Sequence, residues 1–232
     1  IKVYDIPEGN RQSKGRALQN MINIQKGDKV CAFIHVKNLN DQEYVNNHYL
    51  IFATKNGLMK KTTLESYSRP RANGIIALGL REDDRLIRVT LTDGKSQMLV
   101  ASYNGKVVRF PEDTVRPMGR TASGVRAIKL DEDGKDCVVG MICVEEGSKD
   151  TVLVISDKGY GKRTLLDDEN GEPIYRITNR GGKGVKTMNL TDKTGNLIGL
   201  EAVNDEQDLM LITKSGTAIR MAMTSISTLG RA

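Results

Sequence analysis

The sequence predicts an all-β fold: one domain built as a propeller-like array of repeated four-stranded blades, about five blades' worth of chain. Three observations carry this. First, four β-like runs each end in a tight turn at a glycine and continue as a second β-like run. The turn glycines are Gly57, Gly105, Gly159 and Gly216, spaced by 48, 54 and 57 residues. Second, a further glycine opens a short apolar run in each unit, at Gly15, Gly74, Gly124 and Gly184. Third, no segment keeps a 3.6-residue apolar period over three turns. Residues 12–24 come nearest, and their counterparts in other units argue against a helix.

Each unit reads as four short strands. The hairpin comes first, around residues 50–57, 98–105, 152–159 and 209–216 and the run that follows each. Asn56-Gly57, Asn104-Gly105, Lys158-Gly159 and Ser215-Gly216 are hairpin turns in which glycine supplies the positive φ. The third strand starts at the second glycine, as where Gly74 precedes Ile75, Ile76, Ala77 and Leu78. Gly124 precedes Val125 and Gly184 precedes Val185 in the same way. A polar, acid-rich turn follows at 81–84, 131–134 and 191–195, then a fourth β-run at 30–36, 86–91, 137–144 and 197–203. Polar connections at 37–47, 92–96, 145–150 and 204–208 lead into the next unit. The repeats fall at about 1–47, 48–96, 97–150, 151–207 and 208–232, the first without a hairpin and the last without its later strands. One sheet cannot bury both its faces, so the units are expected to stack sheet on sheet. The half-units at the two ends are expected to be poorly satisfied. The abrupt ends, without an initiator Met, read as a fragment of a longer protein.

At 232 residues the chain can bury a full core. Its net charge of +6 favours polyanionic partners without requiring them. The three cysteines, Cys31, Cys137 and Cys143, form no Cys-x-x-Cys pair. With only His35 and His48 beside them, no zinc ligand set suggests itself. They read as buried free thiols of a reducing cytoplasm. There is no signal peptide and no apolar run long enough to cross a membrane. No nucleophile–base constellation or phosphate-cradling P-loop is visible, so neither catalysis nor a cofactor is expected of the chain. Tyr160, between Gly159 and Gly161, reads as a strand residue after a turn.

The cations recur at fixed places. Four residues past the hairpin glycines stand Lys61, Arg109, Arg163 and Arg220, with Lys60 and Lys162 preceding two of them. Ahead of the second glycines stand Arg11, Arg71, Arg120 and Arg180, with Lys14 and Lys183 directly before theirs. Arg176 and Lys186 flank Asn179, Arg180, Gly181, Gly182, Lys183 and Gly184, a stretch that joins three glycines to two cations without an acid. Acids concentrate in the turn between third and fourth strands. A single exposed lysine is ordinarily a solvated side chain. A cation repeated at one structural position predicts instead a basic stripe along one side of the array. Such a stripe suits the backbone of duplex DNA, bound with little sequence preference and a steep salt dependence. Bending a duplex segment costs roughly 1–6 kcal/mol, which a few phosphate contacts per blade would offset. Three Phe and no Trp argue against a base-stacking platform. Removing Arg109, Arg163 and Arg220 together is expected to weaken DNA binding with little loss of fold. The unit holding 179–184 is the longest between its two glycines, 25 residues against 17 and 19, so its loop is expected to stand out from the rim.

These residues resemble a known family, the C-terminal domain of the bacterial DNA gyrase A subunit, over the whole chain. The carriers are the hairpins ending in Lys55-Asn56-Gly57 and Lys214-Ser215-Gly216, the run from Gly159 to Thr164, and above all residues 179–184. These last are similar to the family's box, Gln-Arg-Arg-Gly-Gly-Lys-Gly. Arg180, Gly181, Gly182, Lys183 and Gly184 match it, while Thr178 and Asn179 replace its first two residues. The resemblance implies a β-pinwheel that wraps duplex DNA around a basic rim and carries no cofactor of its own. It implies two protein partners, the remainder of the gyrase A polypeptide and gyrase B, in an A2B2 holoenzyme of the bacterial cytoplasm. There ATP-driven strand passage introduces negative supercoils. The cleavage tyrosine and the ATP site are expected elsewhere in that enzyme. The family's box belongs to the first blade, whereas this copy sits in the third complete unit. The chain therefore resembles blades two to five with part of a sixth, and 179–184 reads as a box-like echo in a later blade.

Two other classes stay open. The related topoisomerase IV has a similar domain with fewer or degenerate blades and no good box. A propeller that binds proteins through its loops would need no recurring cations. A propeller enzyme would need a convergent His, Asp or Glu set, which is not visible.

Overall fold

Four antiparallel hairpins organise the chain, at the places where the turn glycines predict them. The computed structural model describes residues 1–10, 12–22, 24, 27–71 and 74–231. In it β1 (Tyr49–Thr54) pairs with β2 (Leu58–Thr63), and β3 (Leu86–Thr92) lies on the other side of β1. The pattern repeats with β4 (Gln97–Ser102) and β5 (Lys106–Pro111). Next come the two-residue β6 (Val125–Arg126) and then β7 (Val138–Val144), which lies on β4. It repeats again with β8 (Thr151–Ser156), β9 (Gly161–Leu165), the short β10 (Val185–Lys186), and β11 (Leu197–Val203) on β8. The chain ends with β12 (Asp208–Ile212) paired to β13 (Ala218–Ala222).

The last strand of each full sheet comes from the following repeat. β6 pairs with β2 and β10 pairs with β5, giving the sheet orders β3-β1-β2-β6 and β10-β5-β4-β7. Blades of this propeller-like pinwheel are therefore strand-exchanged, whereas the sequence reading gave each unit four strands of its own. A two-residue strand forms too few ladder bonds to stand alone. Laid along the open edge of the preceding hairpin, it satisfies backbone groups on both. Side chains add the second bond between blades. Ile51 and Met59 of the first hairpin pack with Val100, Val108 and Phe110 of the second. Leu99 and Val107 of the second pack with Val152 and Val154 of the third. β3, β7 and β11 touch one another in succession on the inner side, so β6 and β10 form the outer edge of their sheets. Arg88 of β3 spans to Glu201 of β11 with a two-pronged pair at 2.6 and 2.9 Å.

Two expected strands do not form. Residues 30–36 keep a strand's alternation, with Ala32, Ile34 and Val36 half-buried and Phe33 and His35 exposed. Residues 74–80 are likewise without a ladder. Phe33 and Ile76 are left 83% and 67% exposed. The last hairpin also shows Met210, Ile212 and Ile219 to solvent, as expected of a half-unit. In the connection at 37–47 a short helix, α1 (Gln42–Asn46), appears where a plain loop was expected. Asp41 caps it by accepting from the Tyr44 amide at 3.0 Å. Five residues are too few to display a helical period.

The cysteines also differ from expectation. Cys31 is exposed, while Cys137 and Cys143 are half-buried. Burial, helped by the nearby Glu112 charge, pushes the Cys143 thiol up to about 12, so it stays protonated and inert. Among the described residues no His, Cys, Asp and Glu group is placed to hold a metal, and no helix is long and apolar enough to cross a membrane.

Gly124 and Gly184 open the exchanged strands, with φ of 97° and 73°. A Cβ there would lie 2.4 Å from the Met59 carbonyl and 2.5 Å from that of Val107. Gly184→Ala is expected to destabilise the protein by more than about 1 kcal/mol. Thermal unfolding reads this as a lower midpoint; an unchanged midpoint would mean that the crossing is loose.

Candidate nucleic-acid interface

Where a later blade stacks on them, the cations of the second hairpin strands are buried, which corrects the exposed stripe read from the sequence. Lys60, Lys61, Arg109 and Arg163 are 0, 4, 5 and 6% exposed. The reason lies in the stacking: a mid-strand residue in a stacked sheet faces a neighbouring blade, not solvent. Lys61 meets Glu112 of the next unit at 2.8 Å and lies 4.2 Å from the Tyr49 ring. Arg109 donates to Gln97 at 2.6 Å, to the Leu166 carbonyl at 3.0 Å and to Asp167 at 2.7 Å. Arg163 donates to the Ile226 carbonyl at 3.0 Å and to Asp205 at 2.5 Å. Each of these residues also receives the next unit on its own carbonyl. The donors are Met118 N on Lys61 at 2.8 Å, Thr178 N on Arg109 at 2.9 Å and Leu229 N on Arg163 at 2.8 Å. The repeated cation marks a joint between blades. Arg220, with no later blade against it, is exposed and pairs with Asp208 on its own hairpin.

Lys60 and Lys162 serve the same joints through carbonyls alone. The Lys60 ammonium donates to Ala77 and Arg120, each at 2.5 Å, and lies 5.0 Å from the Phe52 ring. Burial and, less, the Arg120 charge lower its pKa to about 8. Lys162 donates to the Gly230 carbonyl at 2.6 Å, and burial lowers its pKa as well.

Further cations read from the sequence lie on the segments that cross from one blade to the next, while exposed cations also stand on turns and connections, as at Arg85, Lys95, Lys135 and Lys149. Arg71, Arg176, Lys183 and Lys186 are exposed, as is Lys14, and Arg120 and Arg180 are half-buried. Arg11 lies outside the described residues. Arg116, Arg126 and Lys129 are exposed on the same segment of the preceding blade and were missed in the sequence. A signal was available for Arg126: it stands two residues past Gly124, as Lys186 stands two past Gly184. Both are on the exchanged strands at the outer sheet edge. The acidic turn 131–136 folds against the hairpin turn instead. Asn104 donates to Asp133 at 2.8 Å, which with backbone amides brings that carboxyl down to about 2.

The 179–184 loop lies along the crossing segment before it. Gly181 N donates to the Ala127 carbonyl at 2.6 Å, and Lys129 N donates to the Gly182 carbonyl at 2.8 Å. Gly79 N repeats the latter contact on the Ala122 carbonyl at 3.2 Å. Successive crossing segments thus form one continuous ridge. The extra length of this unit does not enlarge the loop. It forms a separate excursion closed by a bridge between Asp167 and Pro173 and a turn at Gly171. Tyr160 follows its hairpin turn half-exposed, with the Lys193 ammonium 6.0 Å from its ring.

Strand-exchanged blades joined by buried cations, with further cations on an outer ridge, define a pinwheel-type repeat module. The chain matches the family described as DNA gyrase C-terminal domain, beta-propeller, at residues 1–37, 48–93, 97–145, 150–204 and 207–232, and it belongs to that family. It is 43% identical over its full length to the A subunit of DNA gyrase from Staphylococcus aureus strains NCTC 8325 and COL, and it spans about a quarter of those relatives (25%). Among solved structures it is similar to the C-terminal domain of DNA topoisomerase IV, with a TM-score of 0.83 and 24% identity, covering 99% of this chain and 67% of that one. It is also similar to a DNA gyrase A C-terminal domain, with a TM-score of 0.80 and 22% identity, covering 100% of this chain and 70% of that one. These last two likenesses support the fold.

Glu112→Ala would strand the Lys61 ammonium between blades and is expected to cost about 3–5 kcal/mol. Arg220→Ala breaks a surface pair and is expected to cost at most about 1 kcal/mol. Denaturant unfolding compares them, and equal losses would contradict the burial-based distinction. Lys60 gives a pH signature. The unfolded chain keeps its proton to near 10.5 while the folded chain releases it near 8, so rising pH favours folding between these values. Stability relative to Lys60→Met is expected to rise between about pH 8 and 10; a flat difference would show that the ammonium is as well solvated inside as out.

Proposed function

We propose that this chain is the DNA-binding and DNA-wrapping module of a type II topoisomerase, the A subunit of a bacterial DNA gyrase. The observation that carries the reading is the ridge of exposed cations on successive crossing segments, with Arg116, Arg126 and Lys129 on one blade and Arg176, Lys183 and Lys186 on the next. Placed at the outer sheet edges, they fit a duplex that follows the rim and is contacted at its phosphates. Family membership and the named gyrase relatives support the same reading. In it the module bends DNA so that strand passage elsewhere in an A2B2 assembly, driven by ATP, introduces negative supercoils in the bacterial cytoplasm. The chain itself contributes neither a catalytic residue nor a cofactor. Of the residues read from the sequence, Lys14, Arg71, Arg176, Lys183 and Lys186 stay as DNA contacts. The buried Lys60, Lys61, Arg109 and Arg163 act through the blades they join.

The likeness to a topoisomerase IV domain favours a second reading, a similar module of that enzyme. A topology assay separates the two: a relaxed circle closed in the presence of the chain reports the sense and extent of wrapping. Positive writhe in proportion to bound chain is expected for gyrase, and binding without a topology change would favour the second reading. Affinity for duplex DNA should fall steeply with salt, with a log–log slope of roughly −0.9 per phosphate contacted. A triple Arg176→Gln, Lys183→Gln and Lys186→Gln variant should flatten that slope at an unchanged melting temperature. An unaltered slope would remove these residues from the interface.

A further inference from the structure

The joint beneath the 179–184 loop differs from its neighbours. On either side, a lysine three residues past the hairpin glycine reaches up to carbonyls of the next crossing loop. Lys60 does so to Arg120, and Lys162 to Gly230. Val108 holds that place in the middle hairpin and offers no donor. The loop above it is held from the opposite direction. Arg180 donates Nε to the Thr114 carbonyl at 3.1 Å and Nη1 to the Arg126 carbonyl at 3.3 Å, both on the preceding unit. Arg120, its counterpart one blade earlier, makes no side-chain hydrogen bond among the described residues.

The loop so held has an unused polar face. Gly181 and Gly184 carry φ of 80° and 73°. The amides of Lys183 and Gly184 have no protein partner among the described residues, while that of Gly182 turns back towards the Asn179 carbonyl. A cavity of about 430 Å³ opens between this loop and Val107 and Val108, with Arg176, Thr178 and Lys183 also on its walls. Successive unpaired amides bounded by left-handed residues make a concave seat for an anionic oxygen, and the flanking cations reinforce it.

We propose that Arg180 is a positioning residue, which takes the part of the missing lysine pin and sets the loop so that Lys183 and the free amides of Lys183 and Gly184 seat one phosphate of the DNA backbone. This rests on the DNA-binding reading above. Nε and Nη1 of Arg180 are engaged by main-chain carbonyls, so its part is to hold the loop while Lys183 and the amides take the phosphate. Its fork reaches the Thr114 and Arg126 carbonyls with two separate nitrogens, where a lysine on the same backbone would bring one.

The test uses the 232-residue chain, a duplex probe and amide hydrogen exchange. Arg180→Ala is expected to weaken duplex binding on the order of tenfold, the scale of losing charge-assisted hydrogen bonds, and to speed exchange at residues 182–184. Arg180→Lys is expected to behave like Arg180→Ala, because it keeps the charge and loses the fork. Adding Val108→Lys to Arg180→Ala installs the neighbouring blades' pin and is expected to restore both affinity and slow exchange. Arg180→Lys binding as tightly as the parent would overturn the proposal, since a direct phosphate contact tolerates a point charge. So would a folded Val108→Lys, Arg180→Ala variant that stays as weak as Arg180→Ala. Should the parent chain fail to bind duplex, the DNA-binding reading falls. Loop exchange in Arg180→Ala then still decides positioning: faster exchange supports it, and unchanged exchange overturns it.

Discussion

The two-residue strand that each repeat lends to the blade before it is the contact on which the rest depends. β6 on β2 and β10 on β5 each bring only a few ladder bonds. They nevertheless fix where the next hairpin stacks, how closely the chain crosses, and which residues face outward. Gly124 and Gly184 are required because the crossing passes within contact of the Met59 and Val107 carbonyls. Once the crossing is set, the segments around it lie against one another as a ridge. Any function of the outer rim is therefore built on the same bonds that hold the blades together.

Two populations of basic residues are set apart by this geometry. One lies between blades, where Lys61 and Arg109 meet carboxylates of the next repeat, Arg163 meets Asp205 of its own repeat and the Ile226 carbonyl of the next, and all three receive the next repeat's amide on their own carbonyl. Desolvated charges of this kind are costly when unpaired, and their acids are as necessary as they are. The other lies on the crossing segments in water, where a cation is free to meet a phosphate. Both recur with the repeat, so recurrence alone does not distinguish cement from interface.

Much of this was legible in the sequence. The glycine turns placed all four hairpins, because a left-handed turn leaves a chemical mark. The second glycines placed the crossings for the same reason. Ownership of the exchanged strand was not legible, since nothing in Val125 or Val185 says which edge they meet. The burial of Arg109 was within reach: stacked sheets leave no solvent-facing side at mid-strand, and the expected stacking already implied it. Arg126 was missed because a cation two residues past the second glycine recurs only with Lys186. The strands expected at 30–36 and 75–78 pair with no edge among the described residues, and pattern within a segment does not report its partner.

Hydrogen exchange of the chain with and without duplex DNA tests the central claim most directly. The account predicts new protection along the crossing segments, around residues 116–129 and 176–186, with the second hairpin strands β2, β5 and β9 unchanged. Protection confined to the acidic turns at 131–136 and 191–195, or absent from the crossing segments, would contradict it.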